Sequence, residues 1–353
     1  MSLALDLLFA FVIIFLMLVF INVEFGGISN AISTIEHALG AGSGVPMPNA
    51  SNNITTVDIN PTKINQSQLA NYTLGLINQD RAQYGLAPVT LSIESSAQQH
   101  SEAMLYYGYF SHWDTFGLKP YMRYTLFGGT GAVDENVAYE TSESCGLLGC
   151  TGNINPESAL QTMEYNMMYN DSVCCNNGHR DNILNPEHNQ VSIGVAYNAS
   201  TIYLTEDFID NYITWKDNTP TYGSNGEMYL DGQLASGYSV FQVSITYDPP
   251  LQNLTTQTVP SGPYGYGTQI AGVVPSSLYY YKNITTIVAD TYTTSGSSFD
   301  IEFNMRNLIS KYGAGEYTEM LTLNDTSTGS SFLGSTYTIF INQSGDQYVP
   351  KDV

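Results

Sequence analysis

The spacing of apolar side chains changes once along this chain, from a helical period in its first half to strict alternation in its second. Few folds accommodate both. In NQSQLANYTLGLINQDRAQYGL, Leu69, Tyr72, Leu76 and Ile77 recur at helical spacing, and Gly85 ends the pattern before Pro88. SIESSAQQHSEAMLYYGYF places Ala97, Ser101, Met104 and Tyr107 on one side of a second helix. NPESALQTMEYNMMYND opens a third, with Pro156 and Glu157 in its first turn. Short apolar strands are predicted over 136–139, 191–197 and 202–208, so helices and then strands form an α+β layer domain closing near Trp215. Alternation then takes over in Phe241, Val243, Ile245 and Tyr247, in Phe299, Ile301, Phe303 and Met305, and in runs at 285–292, 317–323 and 336–341. Six to eight short strands predict an all-β immunoglobulin-like sandwich, with YGAGEYTEML resembling the corner where such folds place a Tyr before a strand. An exposed final strand there could pair with a neighbour's edge, giving self-association.

The N-terminus belongs to neither region. Leu3 to Val23 is a run of 21 residues broken only by Asp6 and Asn22, long enough as a helix to cross a hydrocarbon core. A cleavable signal would show a positive leading region, a shorter apolar stretch and a small-residue cleavage site, and none is clear, so a retained single-pass anchor is expected. No cation precedes the run and the next is Lys63, so charge does not set orientation. Residues 41–63, rich in Gly, Pro, Ser and Asn, read as a stalk, and His37 before them as a solvated histidine. The expected division is an anchor over 1–24, a stalk over 25–64, a layered domain over 65–217 and a β sandwich over 218–353.

Charge narrows the partners. Only 12% of the 353 residues are charged, as 32 Asp and Glu against 10 Lys and Arg, a formal charge of −22. Ten scattered cations build no stripe for a phosphate backbone, which excludes nucleic acid. In acid the carboxylates neutralise, and the scarcity of bases then limits self-repulsion, so life at low external pH is expected.

Two features place the bulk of the chain outside the cell. Ten Asn-x-Ser/Thr sequons, at Asn49, Asn53, Asn65, Asn71, Asn170, Asn198, Asn253, Asn283, Asn324 and Asn342, could accept glycan there. Cys145, Cys150, Cys174 and Cys175 share one 31-residue stretch, which suits two disulfides with three connectivities open. The rival is a four-thiolate zinc site, disfavoured because neighbouring Cys174 and Cys175 would have difficulty turning both sulfurs to one ion.

The words YGLAPVTL (84–91), YFSHWD (109–114), ENVAYE (135–140), GHRDNILNP (178–186) and VSIGVAYNASTIYLTEDF (191–208) follow one another across 125 residues. In that order they resemble the CAP superfamily, the cysteine-rich secretory, antigen 5 and pathogenesis-related group. The resemblance implies a three-layer α-β-α sandwich, an extracellular setting and a cleft lined by two histidines and two glutamates. Carried over by motif, these are His112, Glu135 and His179. The second glutamate follows from the face of the third helix. Glu164 lies on the stripe of Leu160 and Met167, whereas Asn166 is about 200° away at 100° per residue.

Two neutral imidazoles can bind a divalent metal such as zinc through His112 and His179, with carboxylates to orient them or accept protons. That permits metal-assisted hydrolysis, as of a peptide, without demanding it: HExxH is absent and no Ser, Cys or Thr sits in a nucleophile motif. Binding of a small ligand, lipid, glycan or envelope protein is the leading expectation, extracellular hydrolysis the alternative, and a purely structural hydrogen-bond network the third reading. Elsewhere, His100 is read as a partly exposed helix residue, His188 as part of a polar loop, and Arg180 with Asp181 as a pair or cap. Tyr106, Tyr107, Tyr109 and Trp113 are read as core before groove.

Overall fold

A computed structural model describes residues 65–146 and 149–350. The apolar run at 3–23, the stalk, His37 and the sequons at Asn49 and Asn53 lie outside the described residues. Among those described, no helix is long and apolar enough to cross a membrane.

Helix α1 (Gln66–Gln83) starts on a reciprocal cap: the Asn65 side chain accepts from the Ser67 N–H, and the Gln68 side chain accepts from the Asn65 N–H. Strand β1 (Thr90–Leu91) follows, then α2 (Ser96–Tyr107), which stops at Gly108 in the left-handed conformation, and α3 (Pro120–Leu126). Strand β2 (Ala132–Thr141) leads into a hairpin of β3 (Glu143–Gly146) and β4 (Gly149–Gly152). Then come α4 (Pro156–Tyr169), a turn of helix α5 (Asp171–Cys174), α6 (Gly178–Ile183) and the long hairpin of β5 (Gln190–Tyr197) and β6 (Thr201–Asp210). The sheet runs β1-β5-β6-β2, with β1 parallel to β5 and the rest antiparallel.

Both faces of this sheet are covered, which makes a three-layer α-β-α arrangement. Val191, Ile193, Val195, Ile202, Leu204 and Phe208 point to one face, against Leu69 and Ile77 of α1 and Leu160, Met163 and Met167 of α4. On the other face α2 packs so closely that a Cβ on Gly194 would sit 2.0 Å from the Ala97 carbonyl oxygen. Every residue of β6 is therefore buried, including Glu206 and Asp207, whose side chains must point to opposite faces.

The second region is two packed sheets. Its strands are β7 (Ile213–Trp215), β8 (Thr221–Tyr222), β9 (Glu227–Leu234), β10 (Tyr238–Asp248), β11 (Thr268–Val274), β12 (Thr285–Val288), β13 (Thr291–Ser295), β14 (Ser298–Asn304), β15 (Gly315–Asp325) and β16 (Ser331–Ile341), with helix α7 (Arg306–Tyr312) before β15. One sheet runs β12-β11-β10-β15-β16 and the other β13-β14-β9-β7 with β8 on β9. Alternate residues such as Val243, Ile245, Ile301, Phe303 and Leu321 fill the core between them. The Tyr317 hydroxyl donates to the Gly313 carbonyl at 2.6 Å, fastening the corner ahead of β15. Trp215 lies in this core, and β7 pairs with β9, so the second region begins immediately after β6.

The two regions share a third core. Leu118, Tyr121, Met122 and Val133 meet Phe340 of β16, with Leu251, Tyr264 and Tyr266 packed against them. Lys119 and Tyr121 both donate to Asp248 at 2.7 Å, and the Thr338 N–H donates to Thr125. The final strand is thus not exposed: it lies against α3 and β2, and β12 and β13 are the edge strands left more open.

Several single-residue expectations change. His100 is fully buried, because α2 is covered by the sheet on one side and the 109–118 loop on the other; its Nε2 lies 2.8 Å from the Ser111 carbonyl oxygen. His188 is buried too, its Nδ1 2.7 Å from Asp210. Arg180 donates to the Tyr84 hydroxyl and lies over that ring rather than pairing with Asp181. Tyr109 is core, whereas Tyr106 and Tyr107 are exposed. The cysteines pair as neighbours in sequence, Cys145 with Cys150 and Cys174 with Cys175, and the two pairs fall in separate clusters, which removes the four-thiolate arrangement.

Candidate functional site at the β2 edge

The YFSHWD loop is shaped by its own side chains. Ser111 Oγ accepts from the Trp113 N–H, and Asp114 Oδ1 accepts from the N–H groups of Phe116 and Leu118, closing a tight turn at Gly117. That turn aims His112 at β2, where its Nδ1 lies 2.9 Å from Glu135 Oε1. Glu135 Oε2 accepts from Arg123 of α3 at 2.5 Å, and Arg123 also donates to the carbonyls of His112 and Leu118. Burial is the main cause of the low pKa of His112, about 3, with the charges of His179 and Arg123 adding to it. Burial pushes Glu135 up to about 7 against the pull of Arg123. Behind it, burial and Glu135 push Asp207 well up, and its Oδ2 accepts from Ser96 at 2.5 Å.

The second histidine is built on the opposite face. Asn176 and Asn177 adopt left-handed backbone, which folds the chain back so that His179 returns over Asp171. Asp171 Oδ1 lies 2.6 Å from His179 Nδ1, while its Oδ2 accepts from the His179 and Arg180 N–H groups. Asn136, next to Glu135 on β2 and so pointing the other way, donates to the His179 carbonyl and to Glu206. From α1, the buried Arg81 anchors the segment by donating to the carbonyls of Ile183, Asn185 and His188.

Of the four residues expected in the cleft, His112 joins Glu135 directly and His179 joins neither glutamate. Glu164 faces inward as its position on the helix requires, but the group near it is Glu206, and burial with the charge of Glu206 pushes it well above the usual carboxylate range; neither Glu164 oxygen makes a hydrogen bond among the described residues. Glu206 itself is pushed up to about 7, chiefly by burial. The charge of His179 adds to the lowering at His112, and among the described residues His112 belongs to no group of three metal-ligating side chains whose ligand atoms lie within 4.8 Å of one another. Neither Nε2 makes a hydrogen bond among the described residues, and His112 and His179 keep 13% and 16% of their side-chain surface exposed.

The second region contributes to this edge. The Glu135 N–H donates to the Tyr264 hydroxyl at 2.9 Å, the Tyr264 ring lies 5.0 Å from that of His112, and Ser111 donates to the Pro260 carbonyl. Residues 249–267 therefore wall the His112 side.

The family model of the cysteine-rich secretory protein family, CAP, matches residues 74–215. Over residues 74–215 the chain is thus similar to the CAP domain. Solved structures with partial likeness to the chain include an extracellular protein containing an SCP domain from Bacillus anthracis str. Ames, at 20% identity over 41% of each chain with a TM-score of 0.31. The CAP domain of Enterococcal PrgA is similar at 14% identity, over 44% of this chain and 63% of that one, with a TM-score of 0.29. The matches span less than two thirds of either solved chain. No curated protein matches.

Sequence reasoning missed Arg123, Asp171, Glu206, Asp207 and Tyr264 in and around the CAP site. Two adjacent carboxylates in a strand covered on both faces were a usable signal, since each must then meet a partner in one layer. Tyr264 carried none, because only the packing of the two regions brings it to β2.

Proposed function

We propose that this is a membrane-tethered extracellular protein whose CAP domain binds a small ligand, lipid or envelope partner at the β2 edge without turning it over. The carrying observation is that each partly exposed ring has its Nδ1 engaged by a buried carboxylate, leaving Nε2 lone pairs as the free polar groups. Such rings accept hydrogen bonds from a ligand, or ligate a divalent metal such as zinc through His112 and His179 once a ligand oxygen completes the set. Among the described residues no Ser or Thr hydroxyl is hydrogen bonded to a histidine ring, so an activated nucleophile has no support, and metal-assisted hydrolysis is the second reading. The apolar run at 3–23 would be the tether, the exposed Asn65, Asn71, Asn170, Asn198, Asn253 and Asn283 the best-placed glycan acceptors, and the immunoglobulin-like β region a spacer whose β12 or β13 edge serves self-association.

The test is metal analysis and mass spectrometry of organic extracts from the purified full-length protein, beside its His112→Ala and His179→Ala variants. The proposal expects a retained molecule or ion that both variants lose while their melting stays near that of the parent. Turnover of a peptide that both variants abolish would replace binding with hydrolysis, and variants that only melt earlier would leave a structural network.

A further inference from the structure

Around Asp171, which holds His179 Nδ1, lies a second cluster of metal-ligating side chains. A carboxylate oxygen of Asp171, a ring nitrogen of His179 and the sulfurs of Cys174 and Cys175 all lie within 4.8 Å of one another. Asp171 is buried, and Cys174 Sγ sits 3.4 Å from its Oδ1. The donor set of two sulfurs, an imidazole nitrogen and a carboxylate oxygen is one that tetrahedral zinc accepts. Its edges for a bound zinc would be about 3.3 Å between nitrogen and oxygen and about 3.8 Å between sulfurs, so shifts of about 1 Å suffice. Adjacent cysteines ordinarily diverge, but here both sulfurs already lie on the side of the loop that faces Asp171. In the structure they are joined to each other and offer no thiolate.

We propose that Asp171, Cys174, Cys175 and His179 form a soft divalent-cation site opened by reduction of the Cys174–Cys175 bridge. A dithiol reductant supplies two electrons and two protons, is itself oxidised to a disulfide, and leaves two thiols. The cation then displaces one proton from each thiol and takes both thiolates, the His179 nitrogen and the Asp171 carboxylate. In the oxidised protein Asp171 alone holds the His179 ring; in the reduced, loaded protein the cation does, so the site couples thiol state to the orientation of a cleft histidine.

Cobalt(II) is the probe, because thiolate ligation gives a near-ultraviolet charge-transfer band and tetrahedral geometry gives intense visible bands. The full chain is used in a Cys145→Ser/Cys150→Ser background, which removes the other bridge. Both bands are expected only after dithiol treatment that releases two titratable thiols per chain, with displacement by one equivalent of zinc. Cys174→Ser and Cys175→Ser should each abolish the tetrahedral spectrum, and His179→Ala and Asp171→Asn should each weaken affinity at least 10-fold. Circular dichroism identifies any variant that fails to fold, and for such a variant Asp171→Glu or His179→Gln carries the comparison. Failure of the bridge to release two thiols, a reduced protein without the bands, or bands indifferent to both His179 and Asp171 would each overturn the site. None of these outcomes bears on retention of a ligand at the β2 edge, which is read on the oxidised protein.

Discussion

Glu206 and Asp207 are neighbours in β6, yet they point into different layers because strand side chains alternate. Asp207 backs the Glu135–His112 pair on one face, and Glu206 meets Glu164 and Asn136 on the other. Glu164 and Glu206 cannot both be charged in a buried layer, and burial with the Glu206 charge raises Glu164 above its unfolded value. A raised carboxyl contributes stability that is complete below the unfolded pKa of about 4 and is lost as pH climbs toward the folded value. Glu164→Gln has no charge to develop, so urea unfolding should show it about 1–2 kcal/mol more stable than the parent at pH 8 and within error of it at pH 4. An equal change at both pH values would contradict the pairing. The helical stripe through Leu160 and Met167 made the inward aim of Glu164 legible in sequence, whereas its partner, a strand residue 42 positions on, was not.

At the scale of elements, α2 is seated by its close approach to β5. Its Ser101 hydroxyl donates to the Gly194 carbonyl, Gln98 donates to the Val195 carbonyl, and Gly194 leaves no room for a Cβ against Ala97. Gly194→Ala should cost about 1–3 kcal/mol in chemical denaturation and more if α2 must lift off, while the β region keeps its strand signal. Loss below about 0.5 kcal/mol would mean the two elements are less tightly seated than described. Three helices, three strands and the alternating β runs were readable from period alone. Strands β1, β3, β4 and β7 were not, because two to four residues show no period, and β7 joins the second region by pairing with β9 rather than by any signal in ITW. His100 and His188 were misread for a related reason: burial of a polar residue is decided by which layers close over it.

Across the whole molecule, buried acids dominate the electrostatics. Burial raises Glu94 and Glu316 to about 8, Glu135 and Glu206 to about 7, and Glu164, Asp207 and Glu319 well upward. All of these contributions are present below about pH 4; those of Glu94, Glu316, Glu135 and Glu206 are lost as pH rises through 7 to 8, and those of Glu164, Asp207 and Glu319 as pH climbs toward their raised folded values. His100 and His112, lowered mainly by burial, act the other way, their contributions fading as pH falls below about 6.5, that of His112 toward about 3. Seven carboxyls outweigh two imidazoles, so the melting temperature should be about 5 °C or more higher at pH 4 than at pH 8 in scanning calorimetry. A maximum near pH 8 would count against it and against the acid habitat that the scarcity of Lys and Arg suggests. The binding account itself rests on two rings, held on opposite faces of one sheet, presenting their Nε2 lone pairs to a common ligand around the β2 edge. Long-range proton–nitrogen NMR of histidine-labelled, oxidised protein at pH 8, titrated with zinc, reads this directly. Both rings should show Nδ1 protonated and Nε2 bare, with the two Nε2 signals moving along a single binding curve. Separate curves, or a His112 Nε2 that never responds, would contradict it.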